Sequence, residues 1–395
     1  MDLTDNLGRI VPDPIRYWVN VAKESGAVNM MTIGIPDPIP KDILEKYAKA
    51  VYEQEVKGLP GYPPFVGEEY LRKSIVEMES NFGAILTEED VNRMYVTIGA
   101  SQALQFIFSI FKQGSDILVM TPCWGTIHNM IAHSGNNGVP VSLFEDGRFI
   151  EENASNALTD KTAGVYINLP ANPTGSLVEE SELRKMCGWA VSNDLQIITD
   201  EPYKYIIFDR DRTPYTSPAS LGEEINSKVS LVSSFSKIIK PDVRMGFIRV
   251  SPEILAAHEM VGFYFRNLSA GASRGIQAGI NAILDDDPKL SFLKPVVDGY
   301  REKSRLAQDY LTEWGCEFPY KPAGTYMIFP TTPDGGDAEE FVRKTASEKK
   351  TGFVPGSSFG GKFSGFEHIL KHFRMGFGGG MTKDKLAEVM EQLTG

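Results

Sequence analysis

The sequence predicts an α/β fold, in which helices cover both faces of a mostly parallel central sheet, together with a smaller α+β domain. Short apolar runs alternate with stretches of helical spacing through the middle of the chain, as in repeated strand–helix units. Several runs are apolar at almost every position, which is typical of strands covered by helices on both faces. The predicted strands are Met94–Ile98, Ile117–Met120, Pro140–Phe144, Gly164–Asn168, Gln196–Thr199 and Val229–Ser233. The helices predicted between them are Gln102–Lys112, Gly125–His133 and Glu179–Ser192.

The two ends of the chain indicate the second domain. A chain of 395 residues exceeds what one compact core usually organises. Asp2–Ala50 and the region after about Leu290 combine helical and extended patterns, and a helix over Leu293–Trp314, interrupted early by Pro295, leads from one domain into the next. It is followed by a strand (Thr325–Phe329), a helix (Ala338–Ala346), a strand near Arg374–Gly376 and a closing helix near Lys383–Leu393. We therefore predict a large domain over residues 46–292 and a small domain built from residues 1–45 and 293–395.

Charge and composition exclude several classes of partner. The net charge of -12 repels nucleic acid and anionic membranes, so we expect neither as a partner. No apolar run reaches membrane-spanning length, and the N-terminal string MDLTDNLGRI lacks the pattern of a signal peptide. Cys123, Cys187 and Cys316 are scattered without metal-type spacing. We therefore expect no metal site, no disulfide framework and a cytoplasmic location.

The residues that directly follow each apolar run are the candidates for function, because ligands of open α/β sheets bind beyond the carboxyl ends of the strands. Gly99, Ala100 and Ser101 open a helix, and such small residues let backbone N–H groups reach a phosphate. Taken alone, a serine that simply caps a helix is the more common explanation. Trp124 follows Ile117–Met120 and can stack on a flat heterocycle, although a buried core tryptophan is as common.

Two polar residues follow the next strands. Asn172 lies in a turn rich in Pro and Gly after Gly164–Asn168, where its side chain can donate a hydrogen bond. Asn-Pro turns are frequent, so Asn172 alone indicates little. Asp200 directly follows an Ile-Ile-Thr run, and we expect it at the floor of a cleft rather than in a solvated loop.

Lys237 unites these residues into one site. It leaves a predicted core strand at the end of Ser233-Ser234-Phe235-Ser236-Lys237, and Arg244 follows. A lysine that enters a cleft in this way can act as a Schiff-base nucleophile. Ser234, Ser236 and Arg244 are suited to clamp a phosphate. Most lysines are merely solvated, but a solvated Lys237 leaves the neighbouring polar residues unexplained.

A family resemblance follows from these strings. NLPANPTG, TDEPY and SSFSKIIKPDVRMGF resemble the corresponding strings of the class I pyridoxal-phosphate-dependent aminotransferases, which belong to the aspartate aminotransferase superfamily and have the fold type I architecture. IGIPDPIP, GYPPFVGEEYLR, VTIGASQAL and the late PGSSFG and FRMGF extend the resemblance, in family order, over nearly the whole chain. The stretch from lysine to arginine, with Lys-Pro between them, resembles the branch of aminoadipate, lysine-biosynthetic and aromatic aminotransferases.

The resemblance implies pyridoxal 5'-phosphate as the cofactor and gives roles to the residues around it. Lys237 matches the lysine that holds the cofactor as a Schiff base and later shuttles a proton. Asp200 matches the carboxylate that keeps the pyridine nitrogen protonated. Tyr203 and Asn172 match residues that hydrogen-bond the phenolic oxygen. The catalytic residues that the resemblance implies are Lys237, Asp200 and Tyr203. The other implied cofactor contacts are a stacking residue, Trp124, and a phosphate cup of Ala100, Ser101, Ser234, Ser236 and Arg244.

The substrate contacts and a partner subunit are implied in the same way. Arg374 matches the arginine that grips the α-carboxylate of the substrate, assisted by Asn172 and by the backbone of Gly34. Tyr62 matches a tyrosine that reaches the phosphate from the neighbouring subunit, which implies a homodimer with active sites at the interface. The implied reaction is a ping-pong exchange between an L-amino acid and a 2-oxo acid. Arg266 lies where relatives approach the partner's site, but we favour an exposed arginine without that role.

Three alternatives remain at this level. A lyase, decarboxylase or synthase with the same cofactor is possible, because a fold does not fix its reaction. Arg374 argues against decarboxylation, since it protects the carboxylate, but not against elimination. A non-catalytic regulator is disfavoured by the net charge, which is wrong for DNA binding. A nucleotide-binding enzyme is disfavoured because no GxGxxG or GxxxxGK[ST] string follows a strand.

Overall fold

The computed structural model describes residues 8, 11–32, 34–58 and 61–395. Residues 1–7, 9, 10, 33, 59 and 60 lie outside this set, and with them most of the string on which the signal-peptide expectation rests and part of the predicted small domain. The strands are β1 (Asn29–Met30), β2 (Met94–Thr97), β3 (Asp116–Met120), β4 (Asn137–Val141), β5 (Phe144–Glu145), β6 (Arg148–Phe149), β7 (Thr162–Asn168), β8 (Gln196–Asp200), β9 (Val229–Ser234), β10 (Gly246–Arg249), β11 (Met327–Ile328), β12 (Thr351–Gly352), β13 (Val354–Pro355) and β14 (Phe373–Gly376).

The helices surround these strands. They are α1 (Pro14–Glu24), α2 (Lys41–Lys57), α3 (Glu69–Ser80), α4 (Gly99–Ser109), α5 (Thr126–His133), α6 (Glu151–Asn156), α7 (Glu180–Ser192), α8 (Glu223–Lys228), α9 (Pro252–Ala257), α10 (Val261–Ser269), α11 (Arg274–Asp286), α12 (Lys294–Glu313), α13 (Ala338–Glu348) and α14 (Lys383–Thr394). None of the helices within the described part of the chain combines the length and the apolar character that a membrane span requires.

A seven-stranded sheet forms the centre, in the order β2-β10-β9-β8-β7-β3-β4. Neighbours from β9 to β4 are parallel, and β10 runs antiparallel to both β9 and β2. The mostly parallel α/β fold predicted from the sequence is therefore confirmed. Because β7, β8 and β9 are parallel and in register, with Asn168 opposite Asp200 and Asp200 opposite Val232, their carboxyl ends meet at one edge.

Strand β10 is not predicted from the sequence. Its run Gly-Phe-Ile-Arg ends in a charged residue, which hides the apolar pattern. In the structure Arg249 is fully buried, because its Nε donates to Asp90 Oδ1 at 2.9 Å. The predicted strand Pro140–Phe144 is also displaced, since β4 already begins at Asn137 and ends at Val141. β4 is an edge strand, where a proline that lacks an N–H donor is tolerated.

Helix α12 corrects the prediction that Pro295 interrupts the helix over Leu293–Trp314. The helix begins at Lys294, and Pro295 occupies its first turn. A proline there interrupts nothing, because N–H groups of the first turn have no partner within the helix. Helices α2, α3 and α11 are not predicted individually from the sequence, and α2 packs along α11.

Separate groups of buried side chains form the interior. The two faces of the sheet bury alternate residues of each strand, so that Leu118 and Ile197 lie in one cluster, and Val119 and Ile198 in another. A third cluster contains residues from the N-terminal segment, from the loop after β8 and from the C-terminal third of the chain. Its members include Trp18, Met31, Tyr203, Ile328, Phe353, Met375 and Leu386. The domain boundaries at residues 46 and 292 stay predictions.

Candidate active site

Lys237 lies at the carboxyl end of β9, in a short 3-10 turn over Phe235–Lys237. Phe235 is fully buried and anchors this turn in the core. Lys237 is half-buried, and its Nζ donates to the carbonyl oxygen of Gly34 at 3.4 Å. The same Nζ lies 5.6 Å from the centre of the Tyr203 ring. The turn therefore holds an amine between the N-terminal segment and the loop after β8.

Asp200 ends β8 with one satisfied and one unsatisfied carboxylate oxygen. Oδ2 accepts from the hydroxyl of Tyr166 at 2.8 Å, whereas Oδ1 has no hydrogen-bond partner among the described residues. Burial raises the pKa of Asp200 to about 7, against the opposing effects of the Tyr166 hydrogen bond and the Lys237 charge. A buried carboxylate oxygen without a partner is costly unless a donor or a cation meets it.

The turn after β7 is tied directly to Asp200. Asn168 Nδ2 donates to the backbone oxygen of Asp200 at 2.8 Å, and Asn168 Oδ1 accepts from the backbone N–H of Asn172 at 2.8 Å. Asn172 then presents its side-chain oxygen to Arg374 Nη1 at 3.0 Å. These contacts place the predicted residues Asn172, Asp200 and Arg374 in one connected site.

Arg374, in β14, is a buried cation without an ion-pair partner among the described residues. Its Nη2 donates to the carbonyl oxygen of Thr32 at 2.6 Å, and its guanidinium lies 5.0 Å from the centre of the Phe359 ring. Nε has no hydrogen-bond partner in the described part of the chain. Burial lowers the pKa of Arg374. A guanidinium held in this way is suited to bind a carboxylate through two parallel hydrogen bonds.

The start of α4, the end of β9 and Arg244 converge at a second polar corner. A Cβ atom built on Gly246, which is opposite Ser234 in the sheet, would lie 2.7 Å from Ala100 N. A Cβ on Gly99, whose φ is +70°, would lie 2.8 Å from Arg244 Nη2. The backbone of α4 thus approaches β10 and Arg244 as closely as only glycine permits.

Serine hydroxyls line the same corner. Ser234 Oγ accepts from the N–H of Ser236 at 3.1 Å, and Ser236 Oγ is buried without a partner among the described residues. Ala100 and Ser101 lie in the first turn of α4 and are half-buried. Free N–H groups of a helix start, a free hydroxyl and a guanidinium are the donors that a phosphate requires.

Two predicted residues stand apart from this group. Trp124 is half-buried, in the segment whose Cys123 N–H donates to the Phe359 oxygen at 3.1 Å. Tyr62 is 91% exposed, and its backbone oxygen accepts from Arg274 Nη2. Within one chain the structure does not bring the Tyr62 side chain to the other site residues. Arg266 is exposed on α10, as expected.

Sequence reasoning missed Tyr166, Tyr326 and Phe359. Tyr326 donates its hydroxyl to the Gly34 oxygen at 3.1 Å and packs edge-on against Tyr203, with ring centres 5.9 Å apart. For Tyr166 the sequence does contain a signal, because a tyrosine within the otherwise aliphatic buried strand β7 needs a partner for its hydroxyl. Tyr166 finds that partner in Asp200.

A family model described as aminotransferase class I and II matches residues 31–393. The chain belongs to this family. The aspartate aminotransferase of Pyrococcus abyssi is 30% identical over 376 residues, covering 93% of each chain. The aromatic-amino-acid aminotransferase 2 of Thermococcus litoralis is 28% identical over 375 residues, again covering 93% of each. The solved structure of aspartate aminotransferase from Thermus thermophilus with maleate has a TM-score of 0.85 and 20% identity, covers 100% of this chain and 99% of that one, and shows the shared fold.

The resemblance predicted from the sequence is therefore confirmed, and the protein is an aminotransferase. The family implies pyridoxal-phosphate-dependent chemistry. The roles of individual residues stay predictions.

Proposed function

We propose that this aminotransferase holds pyridoxal 5'-phosphate on Lys237 and exchanges an amino group between an L-amino acid and a 2-oxo acid in two half-reactions. The observation that carries the proposal is the lone Oδ1 of the buried Asp200, in the same site as the Lys237 amine. A protonated pyridine nitrogen supplies both the donor and the positive charge that this oxygen lacks. When bound, the cofactor supplies an aldehyde and an electron-accepting ring.

The other unsatisfied groups fit the remainder of the cofactor. Ser236 Oγ, the N–H groups of Ala100 and Ser101, and the Arg244 guanidinium suit the phosphate, with Ser234 ordering the turn. The hydroxyl of Tyr203 and the amide of Asn172 are assigned to the phenolic oxygen. Trp124 is assigned to the face of the ring, since an indole packs well on a flat heterocycle.

Arg374 is assigned to the α-carboxylate of the substrate. Its hydrogen bonds to Asn172 and Thr32 hold the guanidinium plane, and its free Nε adds a donor. A carboxylate anchored in this way fixes the Cα–H bond relative to the ring, and the backbone of Gly34 closes the site beside it. With the cofactor bound, Lys237 Nζ would be the group that moves the Cα proton of the substrate, as general base and general acid in turn.

We further propose a homodimer in which the partner subunit's Tyr62 reaches the phosphate. The 91% exposure of Tyr62 in a single chain supports this arrangement. The apolar side chains of Phe263 and Leu268 on α10 are also 55% and 45% exposed, as expected for a surface that a second copy covers. A cytoplasmic location is proposed as well, because the three cysteines are buried free thiols.

The test is the visible absorption of the purified protein with pyridoxal phosphate, followed as single amino acids and then 2-oxo acids are added. Acidic and aromatic amino acids come first, since the relatives are named for them. We expect a band that an amino acid removes and a 2-oxo acid restores. Lys237→Ala removes the covalent attachment and abolishes turnover, whereas Lys240→Ala, in the same loop but ion-paired with Asp242, retains both. A protein that never acquires the band would contradict the proposal, and turnover to a 2-oxo acid without a second 2-oxo acid would indicate elimination.

A further inference from the structure

A fully buried ion cluster lies behind the turn that carries Asp200 and Tyr203. It consists of Glu79 from α3 and of Glu201 and Lys204 from the turn itself, and all three side chains are 0% exposed. The Lys204 ammonium contacts a carboxylate oxygen of Glu79 and lies 2.9 Å from Glu201 Oε2. None of these three residues has a part in the proposed reaction.

Every carboxylate oxygen of the cluster has a partner, in contrast to Asp200. Glu201 Oε1 accepts from Thr199 Oγ1 at 2.8 Å and from Ser217 Oγ at 2.7 Å. Glu79 Oε1 accepts from the hydroxyl of Tyr205 at 2.6 Å. The network is therefore complete without any ligand, which marks it as part of the scaffold.

The cluster connects the two strand ends that carry the proposed chemistry. The Tyr205 hydroxyl lies 3.0 Å from Ser233 Oγ, and Ser233 Oγ donates to the backbone oxygen of Glu201 at 3.3 Å. Ser233 directly precedes Ser234 in β9, and Glu201 directly follows Asp200 in β8. The same buried groups thus set the positions of the ends of both strands.

Stability alone does not account for such a cluster. A buried ion pair is often no more stable than well-packed apolar side chains of the same volume, because each charge loses its hydration. The cluster carries two carboxylates for one ammonium. Burial opposes the charged form of Lys204, yet the two carboxylates raise its pKa overall. Burying these charges costs free energy of desolvation. In return, a network in which every polar group is hydrogen-bonded holds the turn in one geometry.

We propose that Lys204, together with Glu79 and Glu201, is a positioning group that holds Asp200 and Tyr203 toward the cofactor. The inference rests on the proposed function of the site. Asp200 and Tyr203 face the site, while Glu201 and Lys204 of the same turn face the cluster. Lys204 acts through these neighbours and does not touch the reacting atoms.

The experiment compares Lys204→Met with Arg249→Met. Both variants remove a buried cation from an ion pair, but Arg249 lies at the other end of β10 from Gly246 and pairs with Asp90. Thermal midpoints of the cofactor-free proteins measure the structural cost. Equilibrium dialysis with pyridoxal phosphate measures cofactor affinity, and kcat and KM are measured on the loaded proteins.

We expect both variants to lose thermal stability, whereas only Lys204→Met loses about tenfold or more in cofactor affinity and in kcat, with little change in KM. Equal losses in the two variants would overturn the positioning role. A wild-type protein without a Lys237-dependent band would instead contradict the proposed function.

If Lys204→Met does not fold, a double variant provides the test. Glu79→Gln with Lys204→Met keeps the formal charge of the cluster and an acceptor for Tyr205. We expect its kcat and its cofactor affinity to stay reduced, since the ammonium that joins Glu79 to Glu201 is gone. Wild-type kcat and cofactor affinity in this double variant would show that the cluster positions nothing.

Discussion

The hydroxyl of Tyr166 donates to Oδ2 of Asp200 across 2.8 Å, while Oδ1 of the same carboxylate has no partner among the described residues. This asymmetry orients the carboxylate before any ligand arrives. Tyr166 fixes the plane of the group, so that the free oxygen is presented in one direction.

Asp200→Asn is expected to reduce kcat by a factor on the order of 100 or more, because a neutral amide no longer keeps a bound pyridine nitrogen protonated. The measurement is steady-state turnover with the best amino acid found in the absorption test. Asp309→Asn, a change at an exposed carboxylate on α12, serves as the control and should have wild-type kinetics. Similar rates in both variants would remove Asp200 from the site.

The stability of the cofactor-free protein is expected to fall as the pH rises from about 4 to about 7, and to level off above that. Asp200 has a pKa of about 7 in the folded chain, against about 3.9 in the unfolded chain. At low pH Asp200 is protonated in both the folded and the unfolded chain, so it does not change the free energy of unfolding. At higher pH the carboxyl ionises more readily in the unfolded chain, which lowers that free energy. The penalty approaches about 4 kcal/mol above pH 7.

Asp200→Asn removes this titration and keeps the hydrogen-bonding shape. Its free energy of unfolding in urea should therefore exceed that of the wild type increasingly from about pH 4 to pH 8. Parallel pH curves for the two proteins would mean that the pKa of Asp200 is not raised by burial.

Tyr166→Phe is expected to move the acidic limb of the activity profile to higher pH. The hydrogen bond from Tyr166 lowers the pKa of Asp200, so the loss of this bond raises that pKa. A hydrogen bond to a charged group corresponds to a shift of about one pH unit. The profile of kcat/KM against pH measures this shift. Tyr95→Phe, at a buried tyrosine of the edge strand β2, should leave the profile in place, and an equal shift there would refute the specific role of Tyr166.

Arg374→Lys is expected to raise KM for amino acids and lower kcat/KM by a factor on the order of 100, because an ammonium cannot form the two parallel hydrogen bonds. Cofactor affinity should be unchanged. Arg343→Lys, at an arginine whose guanidinium lies 4.7 Å from the Trp18 ring, is the control. If Arg374→Lys weakened cofactor binding instead of substrate binding, the assignment to the α-carboxylate would be wrong.

Gly246→Ala is expected to destabilise the protein and weaken binding of the phosphate group. The added methyl group would lie 2.7 Å from three backbone atoms, those of Ala100, Gly99 and Ser233, which cannot move independently of the sheet. Gly299→Ala is the matched control, since a Cβ there meets nothing within 4 Å in α12 and alanine favours a helix. Thermal midpoints and dialysis with pyridoxal phosphate measure both effects. A Gly246→Ala protein as stable as the wild type would show that α4 shifts freely.

The sequence was most informative where short apolar runs end in polar residues. The strands before Asn172, Asp200 and Lys237 are parallel neighbours, so residues far apart in sequence meet at one edge as predicted. β10 escaped prediction because Arg249 interrupts its apolar pattern, and only the buried partner Asp90 explains that charge. Tyr166 escaped because periodicity describes which face a side chain occupies and not which hydroxyl needs a partner.

Contacts between residues far apart in the sequence also escaped prediction. Nothing local in the sequence indicates that Gly34 and Tyr326 share a hydrogen bond, or that Thr32 receives one from Arg374. These contacts depend on how the ends of the chain pack around one buried cluster, which the sequence pattern does not encode residue by residue.

The hydrogen bond from Arg374 to Thr32 joins positions 342 residues apart. Asp200 and Lys237, by contrast, lie at the carboxyl ends of adjacent strands of the central sheet. During synthesis the residues proposed to hold the cofactor therefore leave the ribosome well before Arg374 of β14, which is proposed to bind the substrate carboxylate. The proposed binding of the substrate carboxylate therefore requires both ends of the chain to be in place, since Arg374 is held by the backbone oxygen of Thr32.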